Sequence, residues 1–167
     1  DQAAGCAGRG LNVGRSPIAL DANLAVLLAV GLADVGYIAK HKRLRRYDMA
    51  AFELLDEVLG AGDGIVWCPH VLAETSNLVR YLNDPVKAEA AAALAVLVGR
   101  FPEESVPSST GCGRAEYRRL GLTDAILLTL ASSGATLLTD DLDLHLAALS
   151  ADLPSLNFNE LRDEAPG

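Results

Sequence analysis

Four acidic residues stand where short apolar runs end or begin, and this repeated placement is the clearest chemical signal in the sequence. Asp21 directly follows one apolar run, Glu74 comes shortly after a second, Asp124 opens an apolar helix and Asp141 follows a third run. Carboxylates that share a pocket repel one another, and hard divalent cations such as Mg²⁺ or Mn²⁺ relieve that repulsion. A metal site of this kind hydrolyses phosphate esters without a serine, cysteine or histidine nucleophile, because the ion activates water.

The apolar runs that carry these acids predict short buried strands. Strands alternating with helices favour a parallel sheet covered on both faces. Right-handed crossovers then place the carboxyl ends of the strands at one edge, where ligands bind in open sheets of this kind. Acids that are far apart in the sequence would therefore converge in space. We expect strands at residues 18–20, 65–68, 135–139 and 155–158, with a weak one near 105–106.

The helix predictions rest on apolar periodicity and on capping residues. Asp48 is expected to cap a helix that ends near Gly60, and Pro69 to begin the helix that carries Glu74. The segment Asn159 to Glu164 is expected to fray. The predicted helices cover residues 23–33, 48–59, 71–82, 86–98, 112–120, 122–132 and 142–149.

Length and composition indicate one well-buried globular domain. The chain has 167 residues, half of them hydrophobic, which is enough for one proper core. We predict a domain over residues 17–162, with a flexible tail at residues 1–16 and a short one at residues 163–167. No apolar run reaches the roughly 18 residues of a membrane span. The three cysteines form no CxxC pair, which favours a reducing cytoplasm over a disulfide framework.

The charge balance argues against a general nucleic-acid coat protein. The net charge is −8, from 14 basic and 22 acidic residues, although many of the cations fall in two short stretches, residues 40–46 and 114–119. For these stretches, contact with RNA phosphates and a solvated connector are both open readings. The candidate RNA-binding residues are Lys40, Lys42, Arg43, Arg45, Arg46 and Arg118.

Read in order, the acidic motifs resemble the signatures of PIN-domain nucleases. The resemblance covers about residues 17 to 162, and the match lies in the order, the spacing and the strand or helix context of the motifs. Each motif alone is a weak signal. The residues that carry it are Asp21-Ala22-Asn23, Glu74, Gly121-Leu122-Thr123-Asp124, Leu138-Thr139-Asp140-Asp141 and Asn157-Phe158-Asn159-Glu160-Leu161.

The resemblance implies a fold and an activity. The expected fold is a three-layer α/β/α sandwich around a central parallel sheet of four to five strands. The expected activity is Mg²⁺- or Mn²⁺-dependent endoribonuclease cleavage of RNA. The family includes the VapC-like toxins of toxin–antitoxin pairs, so an antitoxin protein is an expected partner. A homodimer is also expected, and the Ala-rich helix over residues 86–98 is either core or a dimer face.

Carried over by motif, the resemblance also implies roles for individual residues. Asp21, Glu74 and Asp124 would be core metal ligands, and the family's Thr-x-Asp signature places the fourth acid at Asp141. Asp140 and Asp143 crowd this motif, and Asp143 would serve a second ion or only favour the helix N-terminus. The residues expected to orient the metal-binding carboxylates by hydrogen bonds are Asn23 and Thr139.

Simpler readings compete with each motif and with the whole set. Asp21 is also a good helix cap, and the acids at 140, 141 and 143 also suit a solvated turn. A haloacid-dehalogenase-like phosphatase would place an Asp after the first strand and a second Asp two residues later, where this chain has Asn23. A non-catalytic PIN-like module that binds RNA or a protein is the alternative from another class.

Overall fold

The structure, a computed structural model, describes residues 14–165. Most of the tail predicted at residues 1–16, and the last two residues of the chain, lie outside this range. The strands are β1 (Ile18–Leu20), β2 (Thr136–Thr139) and β3 (Ser155–Asn157). The helices are α1 (Ala22–Ala33), α2 (Met49–Ala61), α3 (Pro69–Arg80), α4 (Val86–Arg100), α5 (Ser108–Cys112), α6 (Tyr117–Leu120), α7 (Leu122–Ser132), α8 (Leu142–Ser150) and α9 (Phe158–Glu164), and 3₁₀ helices lie at Val35–Lys40 and Lys42–Leu44.

The prediction of a three-layer sandwich around a parallel sheet of four to five strands is wrong. Helices dominate residues 14–165, and the sheet there has three parallel strands in the order β1-β2-β3. The expected strand at residues 65–68 forms only single bridges, Ile18 with Ile65 and Trp67 with Glu103. It has no room to extend, because Gly64 has a positive φ of 85° and Pro69 already begins α3.

The weak strand expected near residues 105–106 does not form either. This segment lies between Pro102 and Pro107, and proline lacks the N–H that a ladder needs. The residues just before it make two backbone hydrogen bonds with the Ile65–Cys68 stretch, from the Trp67 N–H to the Pro102 carbonyl (2.9 Å) and from the Glu104 N–H to the Trp67 carbonyl (2.8 Å). Two short segments that read as strands are therefore connections between helices.

The helix predictions agree better with the structure. Helix α7 has the predicted bounds, and the Asp48 carboxylate caps α2 by accepting from the Ala51 N–H at 2.8 Å. Pro69 occupies the start of α3 as expected. The segment expected to fray forms α9 instead, capped by the Asn157 side chain, and this helix continues past residue 162.

The core consists of two hydrophobic clusters on opposite sides of β1. Ile18 and Leu20 belong to one cluster with side chains of α1, α2 and α4, whereas Ala19 belongs to the other with side chains of α7 and α8. This division follows from the alternation of side chains along a strand. β1 is therefore buried between the two clusters, and Asp21 is the first residue after it.

Candidate functional site

Four of the five candidate metal ligands line one cavity at the carboxyl ends of β1 and β2. The cavity has a volume of about 260 Å³, and Asp21, Glu74, Asp124 and Asp141 contribute to its wall. Asp21 caps α1, Glu74 lies on α3, Asp124 lies in the first turn of α7 and Asp141 caps α8. The remaining lining residues are Ala22, Asn23, Leu120, Gly121, Leu122, Thr123, Leu127 and Leu144.

Local backbone geometry brings these elements to one edge. In the parallel register Leu20 pairs with Leu138, so β1 and β2 end side by side, and the Asp21 N–H donates to the Leu138 carbonyl at 3.2 Å. Gly121 has a φ of 92°, a backbone conformation that residues other than glycine rarely adopt. This turn joins α6 to α7 and thereby places Asp124 at the cavity.

The Asp21 carboxylate is fixed by three donors. Its Oδ1 accepts from the Leu24 N–H at 2.9 Å, which is the expected helix cap. Its Oδ2 accepts from the Thr139 hydroxyl and from the Asp140 N–H, the latter at 3.0 Å. The capping role and the position at the cavity therefore coexist in one side chain.

Thr139 connects two of the acids. Its hydroxyl donates to Asp21 Oδ2 and accepts from the Asp141 N–H at 3.0 Å. Asp141 Oδ1 in turn caps α8 by accepting from the N–H groups of Asp143 and Leu144, at 2.8 and 3.2 Å. The orienting role expected of Thr139 has a clear geometric basis. Asn23, the other residue expected to orient the ligands, is partly buried in the cavity wall.

Electrostatics at the cavity disfavour charged carboxylates in the absence of a cation. Burial, and then repulsion by Asp140, raise the pKa of Asp21 to about 7 although three hydrogen bonds oppose the shift. Burial, and then repulsion by Asp141 and Glu74, raise the pKa of Asp124 to about 7. None of the described residues that line the cavity is basic. The negative charge therefore lacks a partner within the cavity wall.

The donor set fits a hard divalent cation in chemistry, although the ligands are not gathered as the side chains stand. Oxygen donors with unbalanced negative charge are what Mg²⁺ and Mn²⁺ prefer. Within residues 14–165, however, no three His, Cys, Asp or Glu side chains lie close enough together to hold one ion. Glu74 is exposed and has the longest of the four side chains, so it has the most conformational freedom to complete a ligand set.

The two acids that lie near Asp141 in the sequence, Asp140 and Asp143, do not line this cavity. Asp140 is buried, and its carboxylate accepts from the Tyr47 hydroxyl and pairs with Arg46 at 3.1 Å. Asp143 is exposed and lines a neighbouring cavity of about 370 Å³ together with Arg119. The structure thus separates the three acids and brings only Asp141 to the cavity that Asp21, Glu74 and Asp124 line.

The predicted RNA-binding cations divide into two kinds. Lys40, Lys42, Arg43, Arg45 and Arg118 are exposed, and Arg118 lies on α6 just before Leu120, which lines the cavity. Arg46 differs, because it forms the ion pair with Asp140. Sequence reasoning missed Tyr47, whose hydroxyl contacts Asp140. Its position next to the cations gave no signal of this contact.

Comparisons of the chain with protein-family models, with curated proteins and with solved structures found no match. The PIN-domain resemblance therefore stays a prediction from the motifs. None of the helices within residues 14–165 is long and apolar enough to cross a membrane. The cytoplasmic location, the homodimer and the antitoxin partner stay predictions as well.

Proposed function

We propose that this chain is a divalent-metal-dependent nuclease that hydrolyses phosphodiester bonds in RNA. One observation carries the proposal: Asp21, Glu74, Asp124 and Asp141, from four separate elements, line a single cavity with no basic residue in its described wall. These four side chains would hold the ion. When bound, Mg²⁺ or Mn²⁺ lowers the pKa of a water molecule and stabilises charge on the phosphoryl oxygens.

The residues of the chain itself would orient the proposed ligands and bind the substrate. Thr139 and the Asp140 N–H hold the Asp21 carboxylate in one orientation, and the N-terminus of α8 holds Asp141. The described cavity wall contains no serine, cysteine or histidine, and the proposed nucleophile is a water molecule activated by the ion. The exposed cations at residues 40–45 and Arg118 would bind the RNA backbone, since phosphate contacts supply most nonspecific affinity for nucleic acid.

A second candidate is a binding module without catalysis. It is favoured by the absence, among residues 14–165, of three ligands close enough for one ion. The phosphatase alternative gains no support, because Asn23 stands where its second aspartate would be needed. The toxin role stays a prediction that the chain alone does not test.

The test uses the full chain, a fluorescently labelled single-stranded RNA of mixed sequence, and Mn²⁺ or EDTA. We expect cleavage with Mn²⁺, none with EDTA, and none for Asp124→Asn. The matched control is Asp63→Asn, because Asp63 is exposed and lies in the turn before Gly64. The Gly64 carbonyl accepts a hydrogen bond from the N–H of Ile18, the first residue of β1. Asp63 therefore lies near the opposite end of that strand from Asp21.

Three outcomes would count against the nuclease. Cleavage that persists in EDTA would exclude a metal-dependent mechanism. Full activity of Asp124→Asn would exclude the cavity as the site. A wild-type protein that cleaves nothing, and whose thermal stability does not rise with Mn²⁺, would favour the binding module.

A further inference from the structure

A buried network surrounds Asp140, behind the wall of the cavity. The Asp140 side chain is only 1% exposed, and its Oδ2 accepts from the Tyr47 hydroxyl and pairs with Arg46 Nη2 at 3.1 Å. Its backbone carbonyl accepts from Asn159 Nδ2 at 3.1 Å. Groups from the basic segment (residues 40–46), from the residue after it and from α9 therefore converge on one aspartate.

The same aspartate is bonded directly to a proposed metal ligand. The Asp140 N–H donates to Asp21 Oδ2 at 3.0 Å. Asp140 is one of two residues that hold this oxygen, the other being Thr139. Any movement of the Asp140 backbone would thus change where the Asp21 carboxylate points.

Tyr47 has little freedom to move. It is 4% exposed, and its ring centroid lies 6.3 Å from that of Phe158. The guanidinium groups of Arg46 and Arg162 lie 5.3 and 5.7 Å from the ring centroid, which is within the range of cation–π attraction. The hydroxyl that meets Asp140 is therefore held in place by packing around the whole ring.

Arg46 and Arg45 are neighbours in the chain, both have exposed positions, and they make different contacts. Arg46 pairs with Asp140, whereas Arg45 forms no ion pair within the part of the chain that the structure describes. Arg46 is thus tied to the site, and Arg45 offers a control for the loss of one positive charge at nearly the same place.

We propose that Asp140 is a positioning residue for the metal site: Tyr47 and Arg46 hold its side chain, and its backbone N–H thereby fixes Asp21. This inference rests on the proposed metal-dependent function. It assigns Arg46 a role in organising the site in addition to any contact with RNA. It also explains why a second acid follows Thr139 without reaching the cavity.

The experiment measures Mn²⁺ affinity of the full chain in solution, by the electron paramagnetic resonance signal of free Mn²⁺. Tyr47→Phe removes only the hydroxyl, and Arg46→Gln removes the ion pair with Asp140 together with the cation–π contact to the Tyr47 ring. We expect each to weaken Mn²⁺ binding by roughly three- to tenfold, which is below the roughly 10–100-fold contributed by direct hydrogen-bond partners of metal ligands, because both side chains act through Asp140. Arg45→Gln at moderate salt should bind Mn²⁺ like wild type, because exposed charges are screened.

Measuring affinity separates positioning from mere stability. The titration is made at a temperature where circular dichroism shows each variant fully folded, so a loss of overall stability alone leaves the affinity of the folded protein unchanged. If Tyr47→Phe does not fold, Arg46→Gln decides, because the Arg46 side chain is 53% exposed and its replacement leaves the core packed.

The outcomes distinguish this inference from the proposed function. If the wild-type protein binds no Mn²⁺, the proposed function fails, and the positioning role fails with it. If the wild type binds Mn²⁺ and folded Tyr47→Phe and Arg46→Gln bind it equally well, only the positioning role is overturned. Equal weakening in Arg46→Gln and Arg45→Gln would also overturn it, because the loss would then not depend on the ion pair that Arg46 alone makes with Asp140.

Discussion

Replacing Asp124 by asparagine should make the metal-free protein more stable at neutral pH while abolishing activity. The carboxylate lies in a partly buried position, and burial together with repulsion by Asp141 and Glu74 raises its pKa from 3.8 to about 7. A shift of roughly three units corresponds to a ceiling of about 4 kcal/mol. Screening by solvent at a partly exposed group reduces this to about 1–2 kcal/mol.

A smaller opposing term must be subtracted. Asp124 lies in the first turn of α7, where a negative charge interacts favourably with the helix N-terminus by about 0.3–1 kcal/mol. Asparagine loses that interaction. The net gain is therefore about 1 kcal/mol, which for a domain of this size raises the melting temperature by roughly 2–4 °C.

The gain must depend on pH in a defined direction. Between pH 3.8 and about 7 the unfolded chain has released this proton while the folded protein retains it, so the wild type loses stability as the pH rises through this window. Asp124→Asn has no such loss. The two proteins should be equally stable near the lower end of the window, where the folded Asp124 is uncharged and has no charge interaction with the helix N-terminus, and the difference should reach its full size above about pH 7.

Asp21→Asn provides the contrast. An asparagine side chain has one acceptor oxygen, and if that oxygen caps the Leu24 N–H, its amide group faces the Asp140 N–H. Leaving that buried donor without an acceptor costs about 1–3 kcal/mol. Relief of repulsion is then offset, and we expect Asp21→Asn to gain no stability.

Urea unfolding followed by circular dichroism, in EDTA at several pH values, measures both effects. Saturating Mn²⁺ should reverse the order, because it stabilises the wild type by binding and Asp124→Asn much less. A variant that is less stable than wild type at pH 8 in EDTA would refute the reasoning. A stability difference that does not change with pH would refute it as well.

Three further predictions follow from the same geometry. In the RNA cleavage assay, Asp141→Asn should lose activity by at least roughly tenfold, whereas Asp143→Asn should keep most of its activity. The stability of Asp141→Asn should be unchanged, since asparagine also caps helices. The reverse order of activities would show that Asp141 is not the fourth ligand. Thr139→Val should weaken Mn²⁺ binding measured by calorimetry, because Asp21 loses a hydroxyl donor, and unchanged affinity would contradict its orienting role. Neutralising three exposed cations of the basic segment should make the negative slope of log affinity for single-stranded RNA against log salt shallower, by roughly 0.7 for each lost contact. An unchanged slope would show that the segment is solvated surface.

The parts of the fold that sequence predicts well are those with local causes. Helix α7 begins at a glycine with positive φ and ends before another glycine, and α2 begins at a capping aspartate. Such signals act within one turn of the chain. The placement of Asp21 directly after β1 is equally local, because three apolar residues pass between two hydrophobic clusters and the next residue is polar.

The strands were overcounted because an apolar run does not decide its own partners. Residues 65–68 are buried and extended enough to bridge β1 at one point, yet a ladder needs neighbours of matching length on at least one side. The segment that Trp67 bridges at Glu103 lies between Pro102 and Pro107, and proline lacks the N–H that a ladder needs. The apolar run at residues 65–68 therefore predicts a strand, although in the structure this buried segment is a connection between helices.

The site shows the same division between local and long-range causes. Alternation along an extended backbone separates adjacent side chains such as those of Asp140 and Asp141, and the structure places only Asp141 at the cavity. What Asp140 faces instead was beyond local reasoning, since its partners Tyr47 and Asp21 are 93 and 119 residues away in the sequence. An acid next to a ligand motif has two physically sensible roles, as a further ligand or as an anchor for the backbone that holds one. For Asp140, the Arg46 guanidinium and the Tyr47 hydroxyl, which tertiary packing places against its carboxylate, decide between these roles.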